Sequence, residues 1–284
     1  MPSDLWPESL IQAIARRDFV VFIGSGLSAA STNDAGGHPP TWFDLISTLG
    51  EMLTTQAARQ RVKRRSKVDL LDAAEILVSE MRELDRLADL RSRIAELTDG
   101  PEGDRYQPNE WHDEVMRLYP SIVLTTNYDR IIERNNGFAV IRPDDQHLGR
   151  DIRLGRPIIV KMHGTSDVEE GLILTHTDYA RLRRECGHML DLVRSLLLTR
   201  TCLFLGYSLG DPDIRLLLEA VARPYSGEVA HYLLGPRVSA ENRHLRSLFA
   251  QSYGVAHLGY AGDHAQGLQR LAELADLVEL QRGP

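Results

Sequence analysis

Two rhythms of apolar residues run along the chain. Short unbroken apolar runs that end in small or polar residues read as strands covered on both faces. They fall at Phe19–Ile23, Ile122–Thr125, Phe138–Ile141, Ile158–Met162, Cys202–Leu205, Tyr232–Leu234 and Val255–Leu258, with Leu172–Leu174 as a short edge strand. Elsewhere Leu, Ile, Val, Met and Ala recur at three-to-four spacing with charges between them, the stripe of an amphipathic helix. These stretches cover 6–17, 109–118, 128–135, 177–199, 212–222, 239–249 and 264–280. Strands alternating with helices predict a mostly parallel sheet with helices on both faces. From about Trp42 to Leu97 the pattern is helical throughout, and a polar Gly/Pro linker follows at 98–110. Residues 1–284 therefore read as a single domain with a helical insertion, about 42–110, after the first strand. Thr41 is placed to cap the insertion's first helix, and Pro7 and Pro212 suit first helical turns. The loop 31–42, rich in Gly, Pro, Asn and Asp, is long for a connector and suits a lid.

Composition narrows the class. Charged residues are 26% of the chain and hydrophobic residues 43%, as in a globular protein that folds in water. Forty acidic against 33 basic side chains leave a formal net charge of −7, which argues against a nucleic-acid coat. The basic run Arg59–Lys67 is a local exception: a solvated helix face, or a docking patch for an acidic partner. The two cysteines, Cys186 and Cys202, form no CxxC pair, so a four-cysteine zinc site is excluded. Such usage predicts a reducing cytoplasm. The first residues, MPSDLWPES, lack the charged and apolar regions of a signal peptide, and no apolar run approaches the roughly 18–20 residues of a membrane span. Ten histidines without HxH or HExxH spacing predict no metal.

The candidate chemistry lies where a parallel sheet binds ligands, just beyond the C-terminal strand ends. Gly24-Ser25-Gly26 follows the first strand and Leu27-Ser28-Ala29-Ala30 can open a helix. Two residues without Cβ let another molecule reach the main chain, and a helix start favours an anion. The spacing Gly24-x-Gly26-x-x-Ala29 also fits the dinucleotide fingerprint, although a tight strand-to-helix turn with no ligand would use the same glycines. Three further strands end alike: Thr125-Thr126-Asn127-Tyr128-Asp129, His163-Gly164-Thr165-Ser166, and Gly206-Tyr207-Ser208-Leu209-Gly210-Asp211. Each has a plain structural alternative. Asn127 can cap the next helix, Asp129 can support its first turn, His163 can be a satisfied core histidine, and 208–212 can be only a turn and helix start. A dehydrogenase would need a second strand about 20 residues after the glycine turn, ending in an acid for the ribose. That distance falls on the helical pattern TWFDLISTLGEML, which weakens a hydride-transfer reading.

In order and spacing, GSGLSAA, TTNYD, KMHG and FLGYSLGDPDI resemble the sirtuin-like superfamily, specifically its bacterial antiphage-defence branch. The resemblance implies a Rossmann-like sheet that binds NAD. It places Gly24, Ser25, Gly26 and Ser28 near the pyrophosphate. It places Asn127 and His163 as the catalytic pair at the nicotinamide ribose, with Thr126, Asp129 and Gly164 around them. Gly206, Ser208 and Asp211 fall toward the adenosine side. The branch implies NAD hydrolysis to nicotinamide and ADP-ribose, with NAD as substrate and no metal. It also implies gating by homo-oligomerisation or by a partner such as a helicase-like ATPase or short Argonaute. With little room here for a separate sensor, control in trans is expected, through the insertion and the basic run. A non-catalytic module sensing NAD or ADP-ribose would use the same cradle. A protein deacylase is disfavoured, because the superfamily's deacylases carry a four-cysteine zinc module.

Overall fold

Phe19–Ile23, five consecutive buried apolar residues, forms β1 at the centre of the sheet. The remaining strands are β2 (Ile122–Thr125), β3 (Ala139–Ile141), β4 (Ile158–Lys161), β5 (Thr201–Leu205), β6 (His231–Pro236) and β7 (Val255–Tyr260). All pair in parallel, in the order β3-β4-β2-β1-β5-β6-β7. This arrangement is drawn from a computed structural model that describes residues 6–134, 136–145, 148–168, 171–222, 229–239 and 242–283.

Strand alternation sorts the side chains into two cores. Val20, Phe22, Leu124, Val160 and Phe204 face α9 (His176–Glu185), α10 (Gly187–Thr199), α11 (Pro212–Val221) and α12 (Arg243–Tyr253). Phe19, Val21, Val123, Ile159 and Leu203 face α1 (Glu8–Ala15), α7 (Glu110–Arg117) and α13 (His264–Arg282). Two short helices, α2 (Ser25–Ser28) and α8 (Leu148–Arg153), follow β1 and β3. The insertion is four helices, α3 (Trp42–Gly50), α4 (Gln56–Arg65), α5 (Leu70–Glu83) and α6 (Leu87–Asp99). They build a third core from Leu45, Leu49, Val62, Leu77 and Ile94, joined by Tyr128 and Leu174 from loops at the sheet's C-terminal edge. Thr41 caps α3 and Pro212 opens α11, as their positions predict. Among the described residues no helix is long and apolar enough to cross a membrane.

Several elements differ from the sequence pattern. No helix covers 128–134, and residue 135 lies outside the described residues. The Asp129 carbonyl, which a helix would give to residue 133, accepts from the Lys161 ammonium instead. Leu172–Leu174 is not a strand; Ile173 N–H donates to the His163 carbonyl, and the chain then turns into α9 at the Thr175 cap. The 177–199 stretch splits at Cys186, whose backbone leaves the helical region. The helix expected at 239–249 starts at Arg243 and runs to Tyr253, ended by left-handed Gly254; residues 240 and 241 lie outside the described residues.

His231 in β6 is buried, and its Nδ1 accepts the Cys202 N–H at 3.1 Å. Burial lowers its pKa to about 4. An unfolded chain protonates this ring near pH 6.5 and the folded one does not, so stability falls as pH drops from 6.5 toward 4. His231→Asn keeps an acceptor and removes the titration. Urea unfolding at pH 7 and pH 5 is expected to show the wild type losing about 2 kcal/mol more than the variant.

Candidate functional site

The glycine turn after β1 is held by the turn after β5. Gly24 N–H donates to the Leu205 carbonyl and Gly26 N–H to the Gly206 carbonyl, both at 2.9 Å. A Cβ on Gly26 would lie 2.9 Å from the Gly206 oxygen, and one on Gly206, itself at φ +59°, would collide with the Leu27 backbone nitrogen. The bare backbone at 24–26 therefore admits the chain's own β5 turn. Ser25 is exposed beside it and Ser28 is buried.

β2 and α2 supply the second part. Thr125 Oγ1 donates to the Ile23 carbonyl at 2.8 Å and accepts the Asn127 N–H at 3.0 Å, which pins the chain leaving β2 to β1. Asn127, 9% exposed, donates through Nδ2 to Ser28 Oγ at 3.1 Å. No helix follows Asn127 directly, so it is not a helix cap. Asp129 Oδ1 accepts the Ile131 N–H at 3.1 Å. Burial raises the Asp129 carboxyl, against Lys161, that N–H and the Ser28 hydroxyl. Lys161 is fully buried at the end of β4, 3.0 Å from Glu133 Oε1. Thr126 is half-buried.

β4 brings His163. Met162 N–H donates to the Thr125 carbonyl at 2.8 Å, so the segments leading to Asn127 and His163 are hydrogen-bonded neighbours. Gly164 turns at φ +83°, and a Cβ there would lie 2.8 Å from the Gly171 carbonyl. His163 is 5% exposed and its Nε2 is 3.3 Å from Asp211 Oδ2. In the sheet β4 and β5 are separated by β2 and β1, so this contact shows the loops folding inward over the strand ends. Burial lowers the His163 pKa, opposed by Asp211 and Asp213, and the ring is neutral near pH 7.

Asp211 is densely engaged. Its Oδ1 accepts the Asp213 and Ile214 N–H groups at 2.9 and 3.0 Å, capping α11. Its Oδ2 accepts the Tyr179 hydroxyl at 2.5 Å. The Tyr179 ring meets His163 edge-on, with centroids 5.1 Å apart. Leu209, buried at φ +55°, shapes the turn that carries Asp211 back over the sheet, and Ser208 lies exposed on it. Asp213 pairs with Arg183 at 2.6 Å.

The structure thus gathers Gly24, Gly26 and Gly206 into one knot, Asn127, Ser28 and Asp129 into a second, and His163 and Asp211 into a third, all at the C-terminal edges of β4, β2, β1 and β5. Tyr128 and Lys161, inside the TTNYD and KMHG stretches but given no role from sequence, also hold this edge, as does Tyr179, which carries no sequence signal because an aromatic on a helical stripe reads as packing. Two surface clefts lie elsewhere. One of about 430 Å³ runs between α7 and α13, and one of about 500 Å³ is lined by Phe138 and Pro157 at the entrances of β3 and β4. Among the described residues, Asp69, Asp72 and His176 bring three possible metal-ligand atoms within 4.8 Å. Asp69 caps α5, and Asp72 pairs with Arg65 and His176.

An all-parallel sheet with helices on both faces and polar loops converging over its C-terminal edge defines a Rossmann-like α/β protein. Residues 121–258 match the family model of the SIR2-like domain. The match covers 138 of the 284 residues, just under half of the chain. It is similar to a NAD(+) hydrolase ThsA of Acinetobacter baumannii (strain 532279), 24% identical over 237 residues, 82% of this chain and 45% of the relative. It is also similar to a NAD(+) hydrolase ThsA of Cytobacillus dafuensis, 26% identical over 219 residues, 75% of this chain and 40% of the relative. Defense-associated sirtuin 2 of Bacillus subtilis is 29% identical over 125 residues, 40% of this chain and 12% of that protein. The chain spans less than half the length of these curated relatives. Among solved structures, a mutant Sir2 homologue in complex with 2'-O-acetyl ADP ribose shares the fold, with TM-score 0.50 and 14% identity over 98% of this chain and 99% of the other.

Proposed function

We propose that this chain hydrolyses NAD to nicotinamide and ADP-ribose and serves as an antiphage-defence effector by depleting NAD. The observation that carries the reading is the convergence of Asn127, Ser28 and His163 at neighbouring strand ends beside the Gly24–Gly206 knot. The names of the relatives support the substrate. No metal takes part in the proposed chemistry.

The bond cleaved joins the ribose carbon to a positively charged pyridinium. Its electron pair leaves with nicotinamide, which becomes neutral, so no general acid is needed. The ribose passes through an oxocarbenium-like state that water attacks, forming the new C–O bond. Asn127 can hold a ribose hydroxyl and the water through its amide. His163, kept neutral by burial, can accept the proton that the water releases. Gly24, Ser25, Gly26 and Ser28 are assigned to the pyrophosphate, and Thr126, Asp129 and Gly164 to the ribose surroundings. Gly206 and Ser208 are assigned to the adenosine side.

Purified chain incubated with NAD is expected to release nicotinamide, as read by chromatography. Saturable NAD binding by titration calorimetry without release would instead make it a sensor. NAD-dependent removal of acetyl from a peptide would make it a deacylase.

Unrestrained NAD loss would harm the host cell, so the proposal includes gating in a reducing cytoplasm by self-assembly or by a separately encoded ATPase or short Argonaute. The outer row of α4 supports a contact surface there. Arg61 and Arg65 pair internally with Glu80 and Asp72, while Lys63, Arg64 and Lys67 are exposed. Reversing those three charges is expected to shift the sedimentation profile of the assembled protein without changing its circular dichroism.

A further inference from the structure

We propose that Asp211 is a positioning residue for His163: it fixes the imidazole tautomer, with Tyr179 locking the carboxylate in place, and does not hold the adenosine end of the substrate. This rests on the NAD-hydrolase reading of the site.

The geometry carries it. A carboxylate offers about four lone-pair sites. In Asp211 three are taken by the Asp213 N–H, the Ile214 N–H and the Tyr179 hydroxyl. The fourth faces His163 Nε2 at 3.3 Å. No site remains for a ribose hydroxyl. The carboxylate is also immobile: it is tied at one oxygen to the first turn of α11, begun by Pro212, and at the other to α9 through Tyr179. His163 Nε2 lies within hydrogen-bonding distance of Asp211 and, buried, has no other partner among the described residues. Contacts of this kind tighten when substrate seats. Nε2–H directed at Asp211 leaves the lone pair on Nδ1, the nitrogen that then takes the proton. A buried acid orienting a histidine in this way is the logic of the hydrolase triad, in which the acid sets the tautomer and is not itself protonated.

Asp211→Asn separates this role from its rivals. Asparagine is as good an N-cap as aspartate, so α11 keeps its start. Its amide Nδ2 would instead donate to His163 Nε2 and drive the proton onto Nδ1, the wrong tautomer. Turnover near pH 7 is expected to fall by about a hundredfold or more, with KM for NAD within about twofold of wild type and an unchanged melting temperature. The pH dependence of turnover should also move. Besides Asp211, the titratable groups facing His163 are Asp213 of α11 and Tyr179 of α9, with Arg183 of α9 paired to Asp213 behind them, and the substitution leaves all three in place. Tyr179→Phe removes only the lock and should slow turnover less, by about tenfold.

A structural role would move none of these except stability. If KM rises tenfold while kcat holds, Asp211 grips the substrate and the proposal fails. If kcat, KM and pH profile all match wild type, it fails as well. Nitrogen-15 NMR of histidine-labelled wild type does not depend on the variant folding. It is expected to show His163 protonated on Nε2, and protonation on Nδ1 overturns the proposal. His163→Ala keeps the two levels apart: full activity in that variant removes the hydrolase reading itself, whereas loss of activity there with an unaffected Asp211→Asn removes only this inference.

Discussion

Asn127→Ala is expected to fold as the wild type does and to release nicotinamide at about one-hundredth of its rate or less. The folding half of this expectation follows from what Asn127 touches. Its side chain bonds Ser28 Oγ, and a hydrogen bond of this kind contributes about 1 kcal/mol. Thr125, not the Asn127 side chain, anchors the turn. The activity half follows from the role proposed for the amide, which positions both sugar and water. Placement of reacting groups and general-base assistance each supply roughly 10²-fold or more. The measurement is nicotinamide release over a range of NAD concentrations, with circular dichroism melting on the same sample. A well-folded variant that keeps its rate would take Asn127 out of the chemistry.

The second large effect is on folding. Gly206→Ala is expected to lower stability by about 2–5 kcal/mol, a large share of the roughly 5–15 kcal/mol typical of a native protein. Two costs combine. A side chain in the left-handed region costs about 1–2 kcal/mol, and forcing a methyl group into a packed contact about 1–3 kcal/mol. The new Cβ would meet backbone of the Gly26–Leu27 segment, which cannot swing aside as a side-chain tip would. Gly103→Ala is the control. Its φ is +85° with nothing within 4 Å of the added carbon, so it should show only the first cost. Urea unfolding of both variants reads the difference. Equal losses would mean that the turns after β1 and β5 are not interlocked.

The sheet was legible because its strands are buried on both faces. A run such as Phe19–Ile23 has no polar residue to accommodate, and apolar continuity marks it without knowledge of its neighbours. Helix starts were legible where a local cap operates, as at Thr41 and Pro212. What failed was local pattern overruled by distant partners. The 128–135 stretch has the spacing of a helix, but a buried lysine from another strand takes the carbonyl such a helix needs. Leu172–Leu174 has the composition of a strand, but the Ile173 N–H goes to a loop carbonyl, that of His163, and not to a neighbouring strand. The site was legible as a set of strand ends and opaque as a network. The glycine spacing points to a close backbone approach, and the structure shows the β5 turn packed against the same glycines. Nothing in the order of residues 163, 179 and 211 states that their side chains meet, since only the inward fold of the loops brings them together.

Tyr128, adjacent to Asn127, has its ring in the core of the helical insertion, edge-on to Trp42 at 6.5 Å, while its hydroxyl donates to the carbonyl of Ile173, whose own N–H reaches the His163 carbonyl. One aromatic side chain therefore couples the four-helix body to both arms of the site. Trp42 of α3 stands one ring contact away from the residue next to Asn127, so the insertion and the site share a single tyrosine as their common wall.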